Sequence, residues 1–587
     1  MDGTGGAAVG PSKEWLAMKM ARGVLAAMAW SGALAAACGP ELPIGVQARF
    51  GVLPQSLESC PAAPVDKPDY VNEVDLFRLK LTGDGLKQPL LRDFAASDAR
   101  SDNAIQLDGV PAGDPRHLLV SGLVGESKSA LTLWRGAHLG FKVEAGKTVD
   151  VPVLMTKLST MTCTRTPLFS PRMFGSATPL ADGRVLVAGG FHQSSVNPTT
   201  FIRDYVATDT AEIYDPFTGT FSETGRMTWT RGLHQATRLG DGRVLIVGGA
   251  EKLQFDPAYA SVPRPFPLQP QQLVPWVEVF DPATGTFTRL TLDPALQTML
   301  AFHTATTLAD GSVLIAGGGP DVTAATNETI LCRGSGAEVV CTAGPRMARH
   351  RLGHTATLLD DDRVFMWGGV TDSSVAGICT DAGVTVCPEW YRPEQNVFVA
   401  VDPNNVVAGA GDSNNVFFAS ATKVTTDIGA FVMIAGGLRR DHAQEQPPDN
   451  PLVFTGPIRD VRLYSPVENK LGATQGNYDL RAGRLFPNAI SLAWLGRAYI
   501  AGGYNNMGEM LPARDMEVFD FRESGIQPDL TAEGQPVLLR QARGGAAAVH
   551  VGGSAVVVFG GEDGQTGGSR TVLNTAEIYT DKMEPQL

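Results

Sequence analysis

Residues 234–249 read His234-Gln-Ala-Thr-Arg-Leu-Gly-Asp-Gly-Arg-Val-Leu-Ile-Val-Gly248-Gly249, and this stretch decides the fold. Its Asp-Gly lies between two strand-like runs, a hairpin signal, because a primed turn needs positive φ and glycine supplies it without steric cost. The second run is apolar at almost every position, as expected of a strand buried on both faces. The glycine pair closing it lets the backbone turn where a Cβ would clash. Seven such pairs each end a short apolar run: Gly189-Gly190, Gly248-Gly249, Gly317-Gly318, Gly368-Gly369, Gly436-Gly437, Gly502-Gly503 and Gly560-Gly561. Asp182, Asp241, Asp310 and Asp361 keep one offset before their pairs, and Ala177, Ala236, Ala305 and Ala356 lie five residues further back. Self-similarity at a period of roughly 50–70 residues points to propeller blades with variable loops.

A third strand shares a signature: Glu212-Ile-Tyr214-Asp-Pro, Glu278-Val-Phe280-Asp-Pro, Tyr464-Ser-Pro, Glu517-Val-Phe519-Asp and Glu577-Ile-Tyr579. Asp-Pro then opens a turn, with proline presetting φ and Gly285 permitting the left-handed residue, and Thr-Phe287-Thr begins a fourth strand. Arg172, Arg231, Arg351 and Arg543 each precede their glycine pair by the same distance. In the joint presence of the Arg, the Gly pair and the Glu-x-Tyr-Asp-Pro strand, the chain from about residue 160 onward resembles the Kelch family. That resemblance implies an all-β propeller over 159–587 with seven blades, six being the alternative if 397–437 supplies only one. The family's fourth-strand Trp is replaced by Phe221 or Phe287, and the fifth copy, around Asp427–Gly437, lacks the His-x-Ala-Thr strand. Only eight residues follow Tyr579, so the segment from Thr160 to Leu168 is expected to complete the last blade and remove an open sheet edge.

The front of the chain differs. A positive stretch, Met18-Lys-Met-Ala-Arg22, precedes a small apolar run ending at Ala36-Ala37-Cys38-Gly39, the layout of a secretory signal over 1–38 and too short for a membrane span. Small residues before a cysteine resemble a bacterial lipobox, which implies lipid attachment at Cys38; ordinary secretion with cleavage after an alanine is the alternative. The lipid would be the protein's membrane contact, placing an exported chain on the cell envelope, at the outer membrane or cell surface. Residues 39–69 read as a tether. Residues 70–158 carry short strands such as Phe77–Leu81, Leu118–Leu123 and Ala130–Trp134, and fit a small immunoglobulin- or transthyretin-like β-sandwich. Seven cysteines, less one for lipid, leave six in an exported chain where disulfides persist. Cys332 with Cys341 and Cys379 with Cys387 would close small loops, and Cys60 with Cys163 would tie the tether to the propeller.

The net charge is −13, with no basic run longer than two residues, so nucleic acid is not an expected partner. His234, His303 and His354 recur at one repeat position, which fits a repeated structural hydrogen bond better than a metal site. A copper-radical site like that of galactose oxidase would need two axial Tyr; Tyr214, Tyr464 and Tyr579 are repeat positions, leaving Tyr504 alone after a Gly pair. Asp402–Asn405 and Asp412–Asn415 lack the spacing of a calcium loop. We therefore expect no metal, no cofactor and no catalytic residue.

Propellers carry function on loops. The segments after the Gly pairs, including Glu251–Pro275 and Arg439–Ile458, offer Phe255, Phe266, Trp276, Trp390, Tyr391 and Tyr504 as aromatic anchors, with Arg439 and Arg440 as charged neighbours. Self-packed loops are the alternative. The expected function is a non-catalytic envelope lipoprotein that binds a protein or glycan through this face. A sugar-acting envelope enzyme, epimerase- or copper-oxidase-like, is the second reading.

Overall fold

The computed structural model describes residues 46–51, 73–99, 104–125, 130–257, 266–296, 300–320, 324–369, 371, 380–381, 384–385, 388–401, 415–426, 429–440, 454–473, 479–521, 537–564 and 570–585. The fold is all-β. Seven antiparallel sheets follow one another along the chain, each built on one copy of the repeat. In the second, Gln235–Arg238 pairs with Val244–Val247, then Glu278–Asp281, then Thr286–Arg289. The central strands Val185–Ala188, Val244–Val247, Val313–Ala316 and Val364–Trp367 are buried at every position, which explains their unbroken apolar sequence. The first strands of the seven sheets neighbour one another in a cycle, with Ala547–Val551 of the seventh beside Ser176–Pro179 of the first, a propeller-like arrangement. Met161–Cys163 pairs with Ala576–Thr580 as the fourth strand of the seventh sheet.

One joint recurs at all seven boundaries. The N–H of the second glycine donates to the carbonyl of the next repeat's Arg-position residue: Gly190 to Arg231, Gly249 to Leu300, Gly318 to Arg351, Gly369 to Val416, Gly437 to Arg484, Gly503 to Arg543 and Gly561 to Arg172, at 2.6–3.0 Å. All fourteen glycines have positive φ. A Cβ on the first glycine of each pair would sit 2.2–2.5 Å from that same carbonyl. The pair is thus required twice over, by conformation and by contact.

The fifth copy has Ala419 where His234 stands in the second, yet it keeps a first strand. Its first strand is Ser420–Thr426, which does carry Ala421-Thr422, paired with Gly429–Ala435. Ala421 lies fifteen residues before Gly436, against twelve from Ala236 to Gly248, because this hairpin is longer.

Ahead of the repeats, five strands (Leu90–Ala95, Leu76–Gly83, Gly113–Val124, Leu131–Val143 and Thr156–Lys157) form one sheet, and Ala104–Leu107, Val46–Gly51 and Val149–Leu154 form another. Phe77, Leu79, Leu118 and Trp134 from the first share a core with Val46, Ile105, Val151 and Val153 from the second. Val46–Gly51 falls inside the stretch read as a tether. It pairs in parallel with Val149–Leu154, and Val46 and Ala48 are buried. This module is seated on the first and seventh repeat sheets. Arg135 donates to the carbonyls of Asp581 and Met583, Thr156 meets Thr580, and the His138 ring stacks on Phe217 at 4.0 Å.

Gly248→Ala is expected to lower stability by about 3 kcal/mol, combining left-handed strain with the Leu300 carbonyl clash. Gly242→Ala, also left-handed but facing open space, should cost about 1 kcal/mol. Denaturant midpoints of the two variants measure the difference; equal losses would remove the joint from the account.

Candidate functional site

The repeat's arginine is a structural device. Arg172, Arg231, Arg351, Arg484 and Arg543 are buried and ion-paired with buried Glu212, Glu278, Glu389, Glu517 and Glu577. Each Nη1 also donates to the carbonyl of its own repeat's first glycine, as Arg231 does to Gly248 at 2.9 Å. The carboxylates accept backbone N–H groups as well, Thr228 on Glu278 and Ala348 on Glu389 among them. A buried ion pair tolerates the loss of water only with its remaining hydrogen bonds met. Arg484 and Glu389 escaped the sequence reading, although Glu389-Trp-Tyr-Arg-Pro393 matches the third-strand pattern. The third repeat replaces the pair with buried Leu300 and Ile330.

The anchors expected on the loop face need correction. Trp390 and Tyr391 belong to Glu389–Arg392, the third strand of the fourth sheet, since Glu389 is the Arg351 partner. Trp390 donates to the Tyr464 hydroxyl at 2.9 Å, and Tyr391 to Asn396. Phe255, Phe266 and Tyr504 do lie beyond the Gly pairs, but they are buried. The segments after the pairs are themselves strands: Phe191–Val196, Arg203–Ala207, Ala250–Phe255 and Leu268–Leu273 form one sheet, and Val416–Phe417, Leu438–Arg440 and Phe454–Pro457 another. They make a roof with its own core, in which Phe266 stacks on Phe418 at 4.5 Å and meets Phe302 edge-on. Self-packing wins here because the rings bury more apolar area against one another than a rim could offer. Trp276 is half-buried beneath the Arg289 guanidinium, 3.2 Å from its ring centre. Arg439 is paired with Asp460, and Arg440 lies in the strand Leu438–Arg440.

Under this roof lies a cavity of about 250 Å³, lined by residues leading into all seven first strands. Seven equivalent residues there have positive φ: Phe174, Leu233, Phe302, Gly353, Phe418, Phe486 and Gly545. Five of them donate a backbone hydrogen bond to the equivalent residue of the preceding repeat, Phe174 to Gly545 included. The left-handed turn, costly for phenylalanine, gathers the rings into one cluster: Phe174 and Phe302 each meet Phe486, and Phe418 lies 4.9 Å from it. Nothing in the sequence marked these positions, because left-handed phenylalanine has no local signal.

His234 pairs with the Ser176 hydroxyl at 2.8 Å and His354 with that of Thr304 at 3.0 Å, so each reaches the preceding repeat. Burial, reinforced by Arg231, lowers the His234 pKa to about 3 and that of His303 to about 4; His354 is likewise held well below its usual value. Among the described residues no group of three His, Cys, Asp or Glu could hold a metal. Tyr504 sits in the roof core, its ring stacked towards Phe174. The Cys332–Cys341 disulfide joins neighbouring strands of the third sheet, and Cys163 is disulfide-bonded. Cys38, Cys60, Cys379 and Cys387 lie outside the described residues, as do Asp402–Asn405 and Asp412. No helix among the described residues is long and apolar enough to cross a membrane. No protein-family model matches the chain, and no curated protein is similar to it.

The histidines make stability pH-dependent. Each titrates near pH 6.5 when unfolded, and His234 and His303 only near pH 3–4 when folded, so between these limits the unfolded chain binds more protons. Their contribution is complete above pH 6.5 and is lost as pH falls, on the order of 1 kcal/mol per pH unit for each. Denaturant midpoints from pH 7 to 4.5 should fall less steeply in His303→Asn than in the parent; equal slopes would contradict the assignment.

Proposed function

We propose that this chain is an exported, lipid-anchored protein with a closed seven-bladed Kelch-type propeller, and that it is a non-catalytic binding module for a protein or glycan partner. The Kelch reading is supported by the buried Arg–Glu pairs falling on the residues that carry the family's pattern, and by Met161–Cys163 lying in the seventh sheet. Export is compatible with the Cys332–Cys341 disulfide, and the lipid reading rests on the small residues before Cys38.

The observation that carries the binding reading is the hairpin of Phe191–Val196 and Arg203–Ala207, which stands on the roof and presents Val196 and Phe201 at 46% and 66% exposure. Asn197 accepts backbone N–H bonds from Thr199 and Thr200, which brace the turn from within. A large apolar side chain on a preorganised turn is a low-cost anchor, because little ordering remains to be done on binding. Of the groups that the sugar-enzyme reading would use, His234 and His354 are engaged with hydroxyls, and Tyr464 with Trp390 and Asn469.

Affinity capture from envelope extract with the parent chain and with the Val196→Ser, Phe201→Ser double variant tests the binding face. A species held by the parent and lost by about tenfold in the variant is expected; an identical set from both would contradict this face. Independently, Cys38→Ser should move the protein from the membrane to the soluble fraction, and retention in the membrane would contradict the lipid anchor.

A further inference from the structure

The chain enters the N-terminal module at a defined place. Val46–Gly51 runs parallel to Val149–Leu154, with Val46 opposite Val149 and Gly51 opposite Leu154. Leu154 packs with Leu168, Val185, Tyr214 and Phe221 of the repeat region. Val46 is five residues back, about 17 Å along the strand from that contact. The other contacts with the repeats come from the module's five-stranded sheet, through Lys80 on Glu584, Arg135 and His138, so the sheet holding Val46 lies behind it. Those contacts also fix which end of the repeat sheets is covered. Gly552 and Gly553, between the first two strands of the seventh sheet, approach Leu139 and Ala137, and Phe217, between the last two of the first, stacks on His138. Both turns lie at the strand ends opposite the Gly pairs, whereas the roof hairpin starts directly after Gly190. Roof hairpin and chain entry are therefore at opposite ends.

Residues 39–45 are all that separates Cys38 from Val46. Eight residue steps span at most about 26–29 Å, and a flexible linker of that length averages about 15 Å. With a lipid on Cys38, the reading on which this inference rests, the bilayer lies within that reach of Val46. Loop 108–112 follows Leu107 and loop 144–148 precedes Val149, the two partners of Val46. A third loop, 84–89, is tied to the first by buried Arg116, which donates to the carbonyls of Asp84, Pro111 and Ala112. Across residues 83–90, 107–115 and 142–149, four acids against three lysines leave a net −1 of the chain's −13, and Glu144 pairs with both Lys142 and Lys147. Anionic headgroups repel such an end little. No large apolar side chain is exposed in these loops, so the tether and not insertion holds it there. We propose that this end of the module is the protein's membrane-facing surface, kept against the phospholipid headgroups by the short tether. The roof hairpin is then presented on the side away from that membrane, and a partner of Val196 and Phe201 is met there.

Energy transfer to the membrane tests this. The lipidated full-length chain is labelled with a donor dye at Ala145→Cys or at Thr199→Cys, both exposed positions, without reductant and with the parent as background. Each is reconstituted in phosphatidylethanolamine–phosphatidylglycerol vesicles carrying a trace of headgroup-labelled acceptor lipid. Transfer from position 145 is expected to exceed that from position 199 by about twofold or more, and a spacer of about twenty Gly and Ser residues after Glu41, which adds roughly 25 Å of mean reach, should lower it by about half. Equal transfer from the two positions, or more from 199, would overturn the proposal, as would transfer from 145 that the spacer leaves unaltered. A chain that does not associate with vesicles at all removes the lipid reading and this inference with it, whereas a vesicle-bound chain with equal transfer removes this inference alone.

Discussion

The hydrogen bond from the second glycine of each pair to the carbonyl of the next repeat's Arg-position residue holds the rest of the structure in place. It is short, buried and made seven times, and it is available only because the preceding glycine has no Cβ to strike the same carbonyl. The arginine completes the linkage from the other side. Its guanidinium grips the first glycine's carbonyl and the third-strand glutamate of its own repeat, while its backbone carbonyl receives the previous repeat's glycine. One residue therefore ties a sheet together internally and fastens it to its neighbour. Where the third repeat has Leu300 and Ile330 instead, apolar packing replaces the ion pair and the backbone joint to Leu300 remains. That substitution fits the general behaviour of buried ion pairs, which well-packed apolar residues can replace without loss.

The joint also shapes what the protein can offer a partner. By turning the chain sharply at each Gly pair, it directs the following segments over one end, where they assemble into sheets and bury their aromatic residues against the left-handed phenylalanines. The result is an end with its own apolar core, from which the hairpin of Phe191–Val196 and Arg203–Ala207 presents Val196 and Phe201. Beneath it is a cavity whose polar groups are neutral, with His234 and His303 kept so by burial. The N-terminal module, pinned through Arg135 to the carbonyls of Asp581 and Met583, occupies the end away from the roof.

Much of this was legible in the residues. Asp-Gly between apolar runs, the Gly pairs and the Glu-x-Tyr strand identify the sheets, and within the segment Thr160 to Leu168, expected to complete the last blade, Met161–Cys163 is the part that pairs with Ala576–Thr580. Cys332 and Cys341 were matched from their spacing. Three things were not legible, each for a physical reason. The first strand of the fifth copy is hard to recognise because Ala419 replaces the histidine and a longer hairpin moves Ala421 out of step with its glycine pair. Trp390 and Tyr391 lie in a third strand and not on a loop face, because residue type alone does not report register; the residue that carries the register signal is Glu389 beside them. The roof was invisible because its strands pair across repeats, as Arg203–Ala207 does with Ala250–Phe255, and such long-range pairing leaves no local pattern.

The claim on which everything else rests is that the seventh repeat is joined to the first by the same bond that joins the others. Hydrogen exchange resolved at the seven second-glycine amides measures it directly. The account predicts that Gly561, whose acceptor is Arg172 of the first repeat, exchanges as slowly as Gly190, Gly249 and Gly503. Rapid exchange at Gly561 and through Met161–Cys163, with the other joints protected, would mean that the cycle of sheets is open, and would contradict the account.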